Sequence, residues 1–182
     1  MKSILQKRWL RFIPAMVLGG ILLLLYRSMS LPENEAPSDQ SYFPAFTLKD
    51  VRSSEKLVSL DNVKGQLSIV HVWATWCGAC VKEHSEWIQI HRKWPYPLIG
   101  IVYRDDANKV NYLIKDKGDP YQYLMNDETG SLGLNLGLMG TPETFIVDKK
   151  GMIRFHLYGP VSVSRFEKEV LPVLEQISQE NA

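Results

Sequence analysis

The stretch "LSIVHVW", residues 67–73, leaves this 182-residue chain the least freedom in how it folds. It is β-branched or apolar at nearly every position, so a strand formed there has to be covered on both faces. The rest of the chain can supply that cover. "FTLKD" and "KLVSL" form a proposed hairpin ahead of it, and "PLIGIVY" (97–103) reads as a second buried strand. Between the two strands, over Val81 to Lys93, apolar residues at Val81, Trp87, Ile88 and Ile90 fall at loosely helical spacing, a run stopped by Pro95. Asp105 or Asp106 caps a further helix running to Gly118. "YQYLM" is an expected short strand, "SLGLNLGL" a glycine-rich helix or turn, and "ETFIVD" (143–148) turns through "KKG" into "MIRFHLY" (152–158) as an antiparallel pair. A last helix sets Phe166, Val170, Val173, Leu174 and Ile177 on one face, with a kink at Pro172. The order predicts an α/β fold in which a central mixed sheet is flanked by helices on both sides.

Charge is distributed unevenly. Residues 1–30 hold five of the 21 basic residues and none of the 20 acidic ones, so the remainder is net acidic. No basic footprint is left for phosphate, which argues against a nucleic-acid partner. Within residues 1–30 the uncharged run "FIPAMVLGGILLLLY" follows four basic residues, as in an N-terminal transmembrane anchor. Fifteen residues are short for a span, but Trp9 and Leu10 extend it while Arg11 and Arg27 snorkel to the two interfaces. A cleaved signal peptide is the alternative, at Ser28-Met29-Ser30; Arg27, standing between that site and the apolar run, favours an uncleaved anchor. The positive-inside rule then faces the domain outward from the inner membrane. Residues 31–42 are polar with two prolines and read as a tether. Residues 43–182 are enough for one core without disulfides to hold it.

The chain has two cysteines, Cys77 and Cys80, in "WATWCGAC" directly after the buried strand. A structural staple would close a four-residue loop, and short loops restrain the unfolded chain least. A metal site would be half of a zinc set, with His84 giving three ligands at most. Haem attachment needs His directly after the second cysteine, where this chain has Val81. A redox pair fits the surroundings best. A strand-to-helix turn puts Cys77 at a helix N-terminus, where unpaired N–H groups and the macrodipole favour the thiolate, and Cys80, one turn in, is poised to resolve a mixed disulfide. Trp73 and Trp76 would give the site an apolar collar. In "GTPETF" (140–145), Pro142 precedes a buried strand, and its weak trans preference lets the fold lock it cis.

Trp-Cys-x-x-Cys after a buried strand, with a later proline before another, resembles the thioredoxin superfamily. "WATWCGACVKEH", "YRDD", "GDPY", "LGLNLG", "GTPETFIVD" and "GMIRFH" together resemble the membrane-anchored thiol:disulfide interchange proteins of cytochrome c maturation, called DsbE or CcmG. The likeness runs from about Phe43 to Gln176 and extends to the N-terminal anchor. It implies a thioredoxin-like fold without cofactor or metal, and a reductant working in the periplasm. Such a protein takes electrons from a membrane thiol donor and passes them to disulfides of apocytochrome c or of a cytochrome c maturation protein. By this resemblance Cys77 attacks and Cys80 resolves. Thr141 and Pro142 dock an extended substrate beside Trp76, and Glu83 and Glu143 match acidic positions of the family's groove. A carboxylate near Cys77 would oppose its thiolate and make the pair a stronger reductant; the alternative for Glu83 is a solvated residue complementing the helix dipole. Gly78-Ala79 stands between the cysteines where the family often carries a proline. Two other functions stay open: a copper chaperone using Cys77, Cys80 and a histidine, and a general disulfide oxidase.

Overall fold

A computed structural model of the chain describes residues 13–29 and 41–180. Two compact units divide between Glu35 and Ala36. In the first, Ile13–Met29 forms helix α1. Among the described residues no helix is long and apolar enough to cross a membrane. The expected anchor (1–30) and tether (31–42) fall in part on residues 1–12 and 30–40, which lie outside the described residues.

The second unit carries a seven-stranded sheet. Its strands are β1 (Thr47–Asp50), β2 (Ser53–Ser59), β3 (Ser68–Trp73), β4 (Leu98–Tyr103), β5 (Tyr123–Asp127), β6 (Glu143–Val147) and β7 (Ile153–Tyr158). They lie in the order β2-β1-β5-β4-β3-β6-β7. β3, β4 and β5 are parallel neighbours, while β6, β7 and the β1–β2 hairpin are antiparallel, so the sheet is mixed and thioredoxin-like, as the order of elements predicted. Helices α2 (Leu60–Val63), α3 (Gly78–Lys93), α4 (Ala107–Lys117) and α5 (Ser131–Asn135) join the strands, and the chain closes with α6 (Val163–Arg165), a π turn (Phe166–Val170) and α7 (Leu171–Glu180).

All six residues of β3 are buried, and successive side chains feed two different cores. Ile69 and Trp73 pack with Trp87 and Ile90 of α3, Val110 of α4 and Leu174 of α7. Val70 and Val72 pack on the other face with Phe43, Val63 of α2, Leu132 of α5 and Phe145 of β6. Truncating a fully buried ring such as Trp73 or Trp87 costs about 3–5 kcal/mol, so this layering fixes what β3 carries at its end.

α3 begins at Gly78 with Cys77 as its cap, the helix N-terminus at which the sequence placed that cysteine. Two local outcomes differ from the sequence reading. The strand expected over 121–125 runs instead over Tyr123–Asp127, since Asp119 holds the Tyr121 N–H at 3.0 Å in the turn that contains Pro120. The closing helix is widened ahead of Pro172: the Leu171 N–H reaches the Phe166 carbonyl five residues back, forming the π turn. At the far side of the sheet, Tyr42 bridges Met152, and the Phe43 N–H donates to the Gly151 carbonyl at 2.8 Å.

Candidate active site

β3 ends at Trp73, and four residues later Cys77 opens α3. Its backbone is extended (φ −84°, ψ 106°), as a helix cap requires, and the Cys80 N–H donates to the Cys77 sulfur at 3.1 Å. Cys77 and Cys80 are joined as a disulfide. Cys77 keeps 7% of its surface exposed against 1% for Cys80, so the first sulfur is the one a partner reaches. It is less open than a helix-terminal position suggested, because the Thr141 carbonyl oxygen lies 3.4 Å from Cys77 Sγ. In the disulfide no proton lies between them; after reduction the Cys77 thiol can donate to that oxygen. Gly78 and Ala79 are exposed beside it.

The Thr141–Pro142 peptide is cis, Pro142 is buried, and its carbonyl accepts the Gly159 N–H at 3.0 Å. Cysteine pair and proline loop therefore come together from elements 64 residues apart. Trp76 is 59% exposed on the rim and donates from Nε1 to the Arg104 carbonyl at 3.2 Å. Arg104 takes a left-handed φ of 48°, and its Nε donates to the Thr129 carbonyl at 3.1 Å. Asp105 accepts the Thr75 N–H, so the "YRDD" loop braces the segment entering Cys77. Arg104 carried only a family likeness in the sequence, and Asp105 was a candidate helix cap, a place Asp106 takes; their position after β4, the parallel neighbour of β3, brings both to the site.

The two acids are both buried. Glu83 is 3% exposed: Oε1 is 2.9 Å from His71 Nε2, and Oε2 accepts the Val161 N–H at 2.6 Å. It is not solvated: it is drawn inward to a buried histidine and a buried amide, while still bordering a pocket lined by Ala79, Lys82, Glu86 and Val161. Beyond it, His71 Nδ1 is 3.0 Å from the Tyr121 hydroxyl. Burial first, then the charges of Glu83 and Asp119, push the Tyr121 hydroxyl well above its ordinary pKa, so it stays protonated. With His71 Nε2–H donating to Glu83, the Tyr121 hydroxyl donates to Nδ1, and every polar atom in the line is satisfied.

Glu143 is 2% exposed. Its Oε1 accepts the N–H groups of Met139 and Gly140, both at 2.9 Å, and its Oε2 lies 2.8 Å from His156 Nε2. It holds the loop leading to Thr141 from beneath and does not line the surface. Neither histidine partner was visible in the sequence: His71 meets Glu83 only because α3 packs on the face of β3, and His156 meets Glu143 through the β6–β7 register, which sets His156 opposite Phe145. His84, a candidate third metal ligand, donates from Nε2 to the Gly118 carbonyl at 2.8 Å, and burial lowers its pKa. Among the described residues no group of three or more His, Cys, Asp or Glu is arranged to hold a metal ion.

A disulfide whose outer sulfur meets a helix N-terminus and a strand-forming loop is built for thiol–disulfide exchange. An incoming thiolate attacks Cys77, Cys80 leaves as a thiolate, and the reverse sequence reduces a bound disulfide. Comparison with known proteins agrees. The family model described as Redoxin matches residues 38–170. A thiol:disulfide interchange protein DsbE of Pseudomonas fluorescens biotype C is 38% identical over 158 residues, 86% of this chain and 88% of its own. The DsbE of Pseudomonas aeruginosa is 31% identical over 177 residues, 96% of this chain and 98% of its own. Among solved structures, a thiol:disulfide interchange protein of the thioredoxin family from Chlorobium tepidum TLS has 25% identity and a TM-score of 0.62, covering 76% of this chain and 99% of that one.

Proposed function

The chain belongs to the redoxin family and, within it, to the DsbE-type thiol-disulfide oxidoreductases, and from that premise we propose that it is a membrane-tethered, periplasm-facing reductant of cytochrome c maturation. Its substrate is a disulfide in the haem-binding segment of apocytochrome c or in the maturation protein that holds it, and a membrane thiol carrier restores the dithiol. The observation that carries this reading is the contact of Cys77 Sγ with the Thr141 carbonyl, 3.4 Å away at the mouth of the cis-proline loop. A substrate strand paired to Thr141 brings its disulfide to Cys77.

Reduced Cys77 attacks one substrate sulfur, a new S–S bond forms, and the other substrate sulfur leaves as a thiolate that takes up a proton. Cys80 then attacks Cys77, releasing the second substrate sulfur; two electrons have passed to the substrate and the protein disulfide is restored. The Cys80 N–H aimed at Cys77 favours its thiolate. Trp76, exposed beside the pair, offers an aromatic face to the docked chain.

The tether reading rests on the five basic residues ahead of and behind the apolar run, and on a relative whose 177-residue alignment includes the N-terminal segment. Helix α1, 17 residues, is about 26 Å long, close to the roughly 30 Å of a bilayer's hydrocarbon core. The deciding measurement is the equilibrium potential of Cys77–Cys80 against glutathione. A reductant is expected nearer the value of about −270 mV typical of thioredoxin than the roughly −120 mV of a strong oxidant. A result near the latter would overturn the direction of electron flow and select a general oxidase.

A further inference from the structure

Resting on the proposed docking of substrate at Thr141, we propose that His156 is the positioning residue of the reaction: through Glu143 it holds the Met139–Gly140 amides, and so sets the Thr141 carbonyl against Cys77. Each link is a contact in the structure. His156 Nε2 is 2.8 Å from Glu143 Oε2. Glu143 Oε1 accepts the Met139 and Gly140 amides at 2.9 Å each. The next residue, Thr141, places its carbonyl 3.4 Å from Cys77 Sγ.

Between two fixed ends, Leu138, whose N–H donates to the Gly133 carbonyl at 3.0 Å, and the buried Pro142, this loop has little side-chain packing to restrain it. Met139 is 84% exposed, and a side chain built on Gly137 or Gly140 would meet nothing within 4 Å. The carboxylate therefore does for the loop what packing does elsewhere, and a carboxylate held at only one oxygen can swing about its last torsion. His156 removes that freedom by fixing the second oxygen. Its own ring is fixed in turn: it stacks on Phe145 with centroids 4.0 Å apart and lies tilted by 40° against Tyr158 at 4.1 Å. Phe145 is its strand partner, so the ring plane, and with it the aim of Nε2, is inherited from the β6–β7 register.

What is transmitted is a position, and exchange is sensitive to position. An extended chain pairing with Thr141 needs that carbonyl at strand distance, whereas a small aromatic disulfide needs only access to the sulfur. The test separates the hydrogen bond from the stack. H156F keeps the stacked ring and loses the donor; H156Q loses the stack but returns an N–H donor at similar reach. H156F is expected to raise KM for a peptide disulfide about five- to tenfold, with the rate toward the small disulfide within about twofold of wild type. It should also speed hydrogen exchange at the Met139 and Gly140 amides, and H156Q should restore both. Should H156F fail to fold, H156N, whose shorter amide falls short of Glu143, carries the same expectation. Wild-type behaviour in H156F or H156N, or an impaired H156Q beside an unimpaired H156F, would overturn the proposal. If instead the wild-type protein shows no advantage for the peptide over the small disulfide, the docking at Thr141 is what has failed.

Discussion

Glu83 and Glu143 each meet a histidine inside the domain, at 2.9 and 2.8 Å, yet on opposite faces of one sheet. His71 lies between Ile69 and Trp73 on the face covered by α3 and α7; Glu143 shares its face with Phe145 and Val147. The first pair is sealed: His71 is 1% exposed, its other nitrogen meets Tyr121, and the second oxygen of Glu83 holds the Val161 amide. The second pair stands at a rim, with His156 at 8% exposure under the partly exposed Tyr158, and it holds two amides of a surface loop. The same two side chains thus serve different ends. Glu83 ties the redox helix to the closing segment of the chain, and Glu143 ties down the loop that faces the reactive sulfur. The difference lies in what each loses when broken, because water can replace a partner at the rim and cannot do so in the core.

Breaking the sealed pair is expected to have the larger effect on stability. Glu83→Ala strands a buried ring nitrogen and a buried amide, a loss of about 3–5 kcal/mol in denaturant unfolding. An unchanged unfolding midpoint would mean that the pair carries no such load. Glu143→Ala leaves a histidine and amides near solvent, and is expected to cost a smaller 1–2 kcal/mol or so, while slowing exchange with a peptide disulfide by about tenfold. A variant as unstable as Glu83→Ala, with exchange intact, would erase the distinction between the two sites.

The smallest expected effect belongs to the sealed side and is read against pH. Burial lowers the His84 pKa below 6.5, so in the folded protein this ring resists the proton that the unfolded chain accepts. Stability is full above about pH 6.5, falls as pH drops from there toward the lower folded pKa, and then levels with respect to this group. His84→Gln, which can still donate to the Gly118 carbonyl, is expected to flatten that part of the stability profile; an identical slope in both proteins would assign the decline to other groups.

The sequence made the scaffold legible where a single pattern determined the outcome. A run apolar on both faces could only be an interior strand, and β3 is buried at all six positions. The cysteine spacing after it, and the proline ahead of β6, marked the two halves of the site because each is local. What could not be read were the pairings across the sheet. Glu83 and Glu143 stood out as acids in the right motifs, but an isolated carboxylate reads as solvent-facing. Their burial follows from His71 and His156, reached through the packing of α3 on β3 in the first case and the register of β6 with β7 in the second.

The bridge between Tyr42 and Met152 has a consequence for how the molecule is presented. Met152 lies beside the turn joining β6 to β7, which sits at the Ser68 end of β3, whereas Cys77 follows the Trp73 end. Six residues of strand, about 20 Å, separate these poles. Ser41, whose carbonyl accepts the Ile153 N–H at 3.0 Å, therefore stands at one pole of this unit and the reactive sulfur at the other, so a chain docking at Cys77 meets no competition from the segment that enters the sheet there.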